Sequence, residues 1–333
     1  MYKKSVLLFI VSVFLFTGLP GSIFADEGIG EQLQKITVLL DWIPNTNHTG
    51  LYLAKENGYY REEGLSVVII QPSEGGSAAL IAAGQGEFGI SYQEQVTYAR
   101  TTKEALPVKA IAAIIQHNTS GFASPMERGI ETPKDFEGKK YGGWGSPMEI
   151  AMIKALMEND NGDFSKTEII NIGAIDFFTS VREHVDYTWI YYGWDGVAAE
   201  QKDFPINFIL LQDYDSSLDF YTPVIIASED LLLKEPELAR RFLKATTKGY
   251  NFCMENPEQA VEALLKNAPE TDRDIAITSQ KYLASQFQAD AERWGEMKEE
   301  VWKNYANWMY ERKLIDEELD VNAAFTNKFL PEK

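Results

Sequence analysis

The sequence predicts an α/β protein of two lobes, each a mainly parallel sheet flanked by helices. Three observations support this fold class. Apolar runs of strand length alternate with helical patterns from residue 35 onward, an order typical of parallel sheets with helices on both faces. The length of 333 residues suffices for two domains. A second series of strands and helices starts near Ser124, which indicates a smaller lobe inserted in a larger one.

Composition and charge narrow the classes of partner. The apolar and charged fractions, 45% and 24%, are those of a soluble globular protein. The formal net charge is -19, so nucleic-acid backbones and anionic membrane surfaces would repel the protein. We therefore expect neither as a partner.

The first 25 residues have the pattern of an export signal. Lys3 and Lys4 precede an apolar run at residues 5–16 that is too short to span a bilayer, and small residues follow up to Ala25. We expect cleavage after Ala25 and an extracytoplasmic location, in the periplasm or on the outer face of the cell membrane. A buried N-terminal strand is the alternative. Ser22 stands where a bacterial lipoprotein signal has its lipid-bearing cysteine, so no lipid can be attached at this position.

The larger lobe begins with a regular series of strands and helices. Apolar runs predict strands at residues 35–40, 65–70, 87–91 and 109–116, and helical patterns separate them at residues 49–57, 78–84 and 93–103. The smaller lobe has strands at residues 139–141, 186–192 and 207–211 and a helix at residues 147–157. An extended segment at residues 221–228 and a helical, acidic C-terminal third follow.

The order of these elements places the lobe boundaries. We expect residues 36–120 and 224–333 to form the larger lobe and residues 124–220 the smaller one. The chain would then cross between the lobes near residues 119–123 and 220–223, and these two crossings would form a hinge. Small-molecule sites favour such interfaces between domains.

Three polar loops follow strands of the larger lobe. Asp41 and Trp42 end the first strand, residues 75–77 follow the second, and Tyr92 and Glu94 follow the third. Because ligands of open α/β sheets bind beyond the carboxyl ends of the strands, we expect these loops to line one crevice. The first loop also contains Asn45 and His48. A loop that only reverses the chain needs neither a tryptophan nor a histidine, so we expect these side chains to have a role in binding.

The first loop and its surroundings resemble a known family. Residues 39–65 read LLDWIPNTNHTGLYLAKENGYYREEGL, and GQGEFGI follows at residues 84–90. They are similar to solute-binding proteins of the sulfonate, taurine and thiamin-pyrimidine group, which serve ABC importers. The resemblance extends over most of the chain after residue 35, and DWIPNTNHTGLY is its most specific part.

This resemblance implies a fold, a ligand and a partner. The fold would be the two-lobed type II periplasmic-binding-protein fold, with the ligand in a cleft between the lobes. The ligand would be a thiamin-pyrimidine precursor, either N-formyl-4-amino-5-aminomethyl-2-methylpyrimidine or its hydroxymethyl analogue. A monomer would deliver it to an ABC permease in the membrane. A binding protein for taurine or another sulfonate is an alternative, but the cleft loops contain acids and aromatic residues rather than Lys or Arg.

A related enzyme, the fungal thiamin-pyrimidine synthase, is the other alternative. The resemblance places its pyridoxal-phosphate lysine at Ser91 and its reactive histidine at Gln95, and its cysteine-rich iron loop falls on residues 217–221, which contain no cysteine. Without the lysine no Schiff base can form, and without thiolates a soft iron site is lost. We therefore expect a binding protein with no catalytic residues and no cofactor.

Histidine and cysteine usage gives no metal-site pattern. The single cysteine, Cys253, excludes an intrachain disulfide, and its helical surroundings predict a buried apolar role. The three histidines, His48, His117 and His184, are far apart in the sequence. We therefore expect no metal site.

The chemistry of a 4-aminopyrimidine suggests a role for each candidate of the larger lobe. Trp42 would stack on the ring and Asp41 would accept from the exocyclic amine, while Asn45 and His48 would bond to other polar atoms of the ligand. The alternatives are core packing for Trp42, capping for Asp41, and bracing of the loop for Asn45 and His48.

The next two loops carry the remaining candidates of this lobe. The backbone N–H groups of Gly75, Gly76 and Ser77 would meet a ligand oxygen, or Ser77 would only cap a helix. Tyr92 and Glu94 would face the same crevice, although Glu94 is also a first-turn acid that the helix dipole favours.

The smaller lobe supplies a second group of candidates. These are Trp144, Glu149, Tyr191, Tyr192 and Trp194, with Tyr221 at the hinge. Ser146 and Glu149 have the spacing of a capping box, so Glu149 has a structural alternative. We expect Tyr191, Tyr192 or Trp194 to form a second ring wall opposite Trp42. Strand alternation places Tyr191 and Tyr192 on opposite faces, so at least one face is core.

Overall fold

The structure is a computed structural model that describes residues 33–71, 76–173 and 175–332. The expected signal peptide, residues 1–25, lies outside these ranges, and so does the candidate residue Gly75. Within the described part of the chain, every helix is too short or too polar to span a lipid bilayer.

Ten strands form two sheets. The strands are β1 (Gln34–Leu39), β2 (Leu65–Ile70), β3 (Phe88–Ser91), β4 (Val108–Ala113), β5 (Ser120–Pro125), β6 (Lys140–Gly143), β7 (Glu168–Asn171), β8 (Tyr187–Tyr191), β9 (Ile206–Leu210) and β10 (Val224–Ser228). The first sheet has the order β2-β1-β3-β10-β4 and the second the order β7-β6-β8-β5-β9. Only β10 in the first sheet and β5 in the second run antiparallel to their neighbours. Both described sheets are therefore mainly parallel, as the sequence predicts.

Helices cover the faces of the sheets. They are α1 (Thr49–Glu56), α2 (Tyr59–Glu62), α3 (Ser77–Ala82), α4 (Gln93–Thr101), α5 (Pro147–Asn159), α6 (Phe177–Glu183), α7 (Val197–Gln201), α8 (Leu211–Tyr214), α9 (Glu229–Lys234), α10 (Pro236–Glu255), α11 (Pro257–Asn267), α12 (Arg273–Ala284), α13 (Glu299–Glu311) and α14 (Val321–Ala324). Short 3₁₀ turns and one π-helical turn, Tyr192–Gly196, complete the series. We call Tyr192–Gly196 the aromatic turn.

Two strands, β5 and β7, were not expected from the sequence. The sequence of β5, SGFASP, has the glycine, serine and proline content of a turn, yet the strand is buried along its whole length. A Cβ atom at Gly121 would lie 2.2 Å from the carbonyl oxygen of Ile209 in β9, so only glycine permits this close pairing. Because β5 starts at Ser120, the first crossing between the sheets lies before residue 120 rather than at residues 119–123.

Polar side chains join the two crossings. Asp219, directly before the second crossing, accepts from the backbone N–H of Asn118 at 2.9 Å and pairs with His117 Nδ1 at 2.7 Å. His117 Nε2 pairs with Asp290 at 3.0 Å. The hydrogen bond to Asp219 is the main cause that raises the pKa of His117. His117 therefore links both crossings to the segment before α13.

Helix α13 contributes to two cores. Trp302 packs beside the first sheet, together with Ile226. Tyr305 and Trp308, one and two turns further on, pack with Phe122 of the second sheet. The lobe boundaries drawn from the sequence stay a prediction, because this helix belongs equally to both sides.

Helices α1 and α10 cross at two glycines beneath the first loop. A Cβ atom at Gly249 would lie 2.1 Å from the carbonyl oxygen of Gly50, and one at Gly50 would lie 2.5 Å from the ring of Tyr250. The phenol of Tyr250 donates to the carbonyl of Asn47 at 2.7 Å. The close crossing therefore brings α10 within reach of the first loop. Cys253, one turn after Gly249, is buried, and burial raises the pKa of its thiol.

We expect Gly249→Ala to destabilise the protein. Alanine gains about 1 kcal/mol of helix propensity, but overpacking at a rigid backbone contact costs about 1–3 kcal/mol or more. Denaturant titration should show a lower unfolding midpoint. Asn251→Ala, at an exposed position of the same helix, serves as the control and should not lower the midpoint. An unchanged midpoint in Gly249→Ala would mean that the two helices separate without cost.

Candidate ligand-binding site

The loop after β1 is built around a buried histidine. Residues 41–48, which we call the ligand loop, end in a 3₁₀ turn, Thr46–His48. The His48 side chain is 0% exposed. Its Nδ1 accepts from the backbone N–H of Asn45 at 3.2 Å, so Nε2 carries the proton and donates to Asp41 Oδ1 at 2.7 Å. His48 therefore orients Asp41 and has no ring nitrogen left for a ligand.

Asn45 braces the same loop. Its side-chain oxygen accepts from the backbone N–H of Asn47 at 2.9 Å, and its amide nitrogen donates to the carbonyl of Ile43 at 3.1 Å. The side chain thus closes a capping box around the 3₁₀ turn. For Asn45 and His48 the structure favours the bracing alternative over direct ligand contact.

Trp42 and Ile43 lie at the surface of this braced loop. Trp42 is 56% exposed, the largest described tryptophan exposure, and Ile43 is exposed as well. Core packing, the alternative for Trp42, therefore does not apply. A large aromatic side chain beside an oriented carboxylate can stack on a flat polar molecule.

The loop after β2 contributes less than the sequence suggests. Gly76 precedes α3, and Ser77 is the first residue of that helix rather than its cap. The hydroxyl of Ser77 is buried and donates to the carbonyl of Ile90 in β3. The side chain of Ser77 therefore ties α3 to the sheet and does not face a ligand.

Residues from both sheets meet beyond the strand ends. Burial, followed by the negative charge of Asp41, raises the pKa of Tyr92 well above its usual value. Burial also raises the pKa of Tyr191, from the end of β8, to about 12, and the charges of Glu94 and Asp41 add to this effect. Asp41, Tyr92 and Glu94, which follow strands of the first sheet, thus lie near Tyr191 at the end of a strand of the second. We call this region the cleft.

Glu149 faces the cleft from the start of α5. Its carboxylate accepts from the Tyr141 hydroxyl at 2.6 Å and from the backbone N–H groups of Trp144 at 3.1 Å and Ser146 at 2.7 Å. Three donors, one of them the capping-box N–H of Ser146, satisfy this buried group. Glu149 therefore caps α5, as the structural alternative predicts, and its charge also acts on Glu94.

Glu94 differs from Glu149 because its surroundings disfavour the charged form. It lies in the first turn of α4, and burial followed by the charge of Glu149 raises its pKa to about 7. Tyr98, one turn further along α4, packs against the cluster that contains Met148, the neighbour of Glu149. The carboxyl group of Glu94 is therefore close enough to Glu149 for the charge of Glu149 to act on it.

Two aromatic candidates pack away from the cleft. The hydroxyl of Tyr192 donates to Glu200, and its ring lies 5.1 Å from Phe208 and 5.3 Å from Tyr282. The side chain of Tyr221 is 1% exposed, and its hydroxyl accepts from the backbone N–H of Lys298 at 2.8 Å. Neither ring can form a wall of the cleft in this arrangement. Tyr191 is the last residue of β8, whereas Tyr192 is the first residue of the aromatic turn and packs with it.

Two tryptophans lie side by side, and the backbone N–H of one of them, Trp144, bonds to Glu149. Trp144 is 51% exposed, and its ring centroid lies 5.4 Å from that of Trp189. Strand alternation in the sequence places Trp189 on the same face as Tyr191, but Trp189 was not among the residues expected to contact the ligand. Its buried indole N–H has no hydrogen-bond partner in the described structure. Trp194 is half-buried in the aromatic turn.

Two uncharged residues, Ser91 and Gln95, occupy the positions that correspond to the lysine and histidine of the synthase. The hydroxyl of Ser91 donates to the side-chain oxygen of Gln95 at 3.1 Å. These two side chains offer no amine for a Schiff base, so they do not fit pyridoxal phosphate. Over the described ranges, no group of three or more His, Cys, Asp and Glu side chains has a geometry that could hold a metal ion.

Comparison with known proteins places this geometry in context. Residues 45–260 match the protein family described as NMT1/THI5 like. The formylaminopyrimidine-binding protein of Halalkalibacterium halodurans is 27% identical over 305 residues, which cover 89% of this chain and 91% of that protein. The 4-amino-5-hydroxymethyl-2-methylpyrimidine phosphate synthase of Legionella pneumophila is 23% identical, with coverage of 90% and 93%.

Solved structures show the fold. The periplasmic aliphatic sulphonate-binding protein SsuA of Escherichia coli aligns with a TM-score of 0.65 at 13% identity, covering 90% of this chain and 94% of that chain. At this level of sequence identity, the structural similarity is evidence for the fold only. The two sheets thus form the two-lobed fold of periplasmic binding proteins, which confirms the predicted fold class.

The raised pKa of Glu94 predicts how stability depends on pH. The unfolded chain loses this proton near its ordinary pKa of 4.5, whereas the folded protein keeps it until about pH 7. Between these values folding retains a proton that the unfolded state releases, so stability falls as pH rises and levels off above about pH 7.

We therefore expect Glu94→Gln to be more stable than the parent at pH 8 and to differ less at pH 5. Denaturant titrations at several pH values would measure the difference between the two proteins. Glu127→Gln, at an exposed position, should give no pH-dependent difference. An identical pH profile for Glu94→Gln and the parent would show that Glu94 titrates at its ordinary pKa.

Proposed function

The chain belongs to the NMT1/THI5-like family, and from this premise we propose that it is an extracytoplasmic solute-binding protein for a thiamin-pyrimidine precursor. It would capture formylaminopyrimidine, or the hydroxymethyl analogue, and deliver it to an ABC permease. The observation that carries this proposal is the ligand loop, in which a histidine-oriented carboxylate, Asp41, adjoins an exposed indole, Trp42.

The charges of the cleft support a ligand with hydrogen-bond donors. The charged groups that raise the pKa values of Tyr92, Glu94 and Tyr191 are carboxylates, with a tyrosine in addition at Tyr92. An exocyclic amine can donate to such groups, whereas a sulfonate would be repelled by them. This disfavours a taurine or sulfonate ligand despite the shared fold.

The residues at the positions of the synthase's lysine and histidine favour a binding protein over an enzyme. The synthase alternative needs an amine and a reactive imidazole, and the chain has the bonded pair Ser91 and Gln95 instead. Relatives of this chain include a synthase. The pair Ser91 and Gln95 is therefore the feature that favours ligand binding over synthase activity for this chain. Trp42, Asp41, Tyr92, Glu94, Trp144 and Tyr191 are the residues that we assign to the ligand, with Gly76, Glu149 and Trp194 at its border.

The energetic share of the ligand loop can be estimated. Stacking of a base on an aromatic side chain contributes about 1–3 kcal/mol, and a hydrogen bond to a charged group about 1.5–3 kcal/mol. The orientation of Asp41 by His48 reduces the freedom that the carboxylate loses when the ligand arrives. The loop is thus prepared for one face and one edge of a pyrimidine.

Release of the bound molecule tests the proposal most directly. Protein purified from the native host under non-denaturing conditions would be denatured, and the released ligand identified by mass spectrometry. A formylated or hydroxymethylated 4-aminopyrimidine is the expected result. Release of a sulfonate would overturn the assignment of the ligand, and turnover of a pyrimidine precursor would overturn the assignment as a binding protein.

Substitutions in the ligand loop should separate stacking from hydrogen bonding. We expect Trp42→Ala to weaken binding of formylaminopyrimidine by one to two orders of magnitude, which corresponds to the loss of about 1–3 kcal/mol of stacking. Asp41→Asn should weaken binding of the aminopyrimidine more than binding of its des-amino analogue. Isothermal titration calorimetry with both ligands would measure these changes.

Tyr310→Ala provides a matched control, because Tyr310 is an exposed aromatic residue on α13 outside the assigned site. It should bind like the parent, and circular dichroism should show all three variants folded. Parental affinity in Trp42→Ala would contradict the stacking role. Equal losses for both ligands in Asp41→Asn would contradict the contact with the amine.

A further inference from the structure

A chain of buried hydroxyl groups runs beneath the ligand loop. Thr46 Oγ1, in the 3₁₀ turn of the loop, lies 2.6 Å from Ser279 Oγ on α12. The hydroxyl of Ser279 also bonds to the carbonyl of Gly193 in the aromatic turn. Both side chains are buried from solvent, at 1% and 0% exposure.

The direction of these bonds follows from chemistry. The carbonyl of Gly193 can only accept, so Ser279 must donate its single proton to it. The hydroxyl of Thr46 must then donate to the oxygen of Ser279. The order Thr46, Ser279, Gly193 is therefore fixed, and we call it the hydroxyl relay.

The relay connects elements that belong to different sheets. Thr46 follows β1 of the first sheet, and Gly193 follows β8 of the second. Helix α12 packs closely against the aromatic turn at Gly193. A Cβ atom at Gly193 would lie 2.9 Å from Leu283 Cδ2 and 3.3 Å from Tyr282 Cδ1. Glycine at this position is what lets Ser279 reach the backbone.

We propose that Ser279 is a positioning residue that couples the shape of the ligand loop to the contact between α12 and the aromatic turn. When the lobes are together, Ser279 has an acceptor and holds the hydroxyl of Thr46 in one orientation. When the aromatic turn moves away, the buried hydroxyl pair loses its acceptor and the underside of the loop loosens. The proposal rests on the proposed function only for the identity of the ligand.

The coupling favours slow release of ligand. In the arrangement described here the relay is complete and holds Asp41 and Trp42 in the orientation that the ligand meets. Transient loss of the relay would loosen the loop and let the ligand leave. Removal of the relay should thus act on the dissociation rate more than on the association rate, since affinity differences within one site arise mostly in dissociation.

The first test needs no ligand. Hydrogen exchange of the free protein, followed by mass spectrometry or NMR, would report on the backbone N–H of His48, which bonds to the carbonyl of Asn45. We expect Ser279→Ala to speed exchange in residues 41–48 about tenfold, as for the loss of one buried hydrogen bond. Thr278→Ala removes the neighbouring hydroxyl, which accepts from Gln201 at the surface, and should leave this exchange unchanged.

A double-mutant cycle tests the order of the relay. Thr46→Val keeps the shape of the side chain and removes its donor. If the hydroxyls act in series, Thr46→Val combined with Ser279→Ala should exchange no faster than Ser279→Ala alone. Additive effects, or unchanged exchange in the loop, would overturn the proposal. So would faster exchange spread evenly over the whole protein, because that would mean a general loss of stability.

The second test uses formylaminopyrimidine. Stopped-flow fluorescence should show faster dissociation from Ser279→Ala, by about tenfold, with an association rate close to that of the parent. Equal dissociation rates would overturn the proposal. Thr46→Val alone should show the same direction of change and replaces Ser279→Ala if that variant does not fold. If the parent does not bind a pyrimidine, the proposed function fails, while the exchange experiment still decides the role of the relay.

Discussion

The hydrogen bond between His48 and Asp41 is the interaction from which the geometry of the site follows. Its strength depends on burial, because an imidazole with no access to water must find partners for both nitrogens within the protein. Asn45 supplies the first partner and Asp41 the second. The loop consequently adopts one shape before any ligand arrives, and Tyr250 fixes the same shape from α10.

The neighbouring carboxyl groups of the cleft carry an electrostatic cost in the free protein. The charge of Glu149 acts on Glu94, and the charges of Glu94 and Asp41 both act on Tyr191, so three carboxyl groups border the same cleft. Glu149 is satisfied by three donors, whereas Glu94 responds by holding its proton to a higher pH. A ligand that brings N–H groups would relieve this electrostatic cost. The clustered carboxyl groups thus favour a ligand that donates hydrogen bonds over one that only accepts them.

Sequence reasoning succeeded where periodicity and strand ends carry the information. Strand β2 has its predicted bounds, and the capping box of α5 was visible in the spacing of Ser146 and Glu149. It failed at β5, because burial by neighbouring strands overrides the turn-like composition of that segment. The site was harder to predict than the fold. The sequence places Tyr192 and Tyr221 beside the cleft, but side-chain direction depends on pairing and packing that only the folded chain shows.

The burial of Cys253 has a practical consequence for work on this protein. It is the single cysteine of the chain, and its thiol is shielded and kept in the unreactive protonated form. A cysteine introduced on the rim of the cleft would therefore be the one thiol that a maleimide dye reaches. An environment-sensitive fluorophore at that point would turn the protein into an optical sensor, and capture of its solute could be read as light without any enzyme or radiolabel.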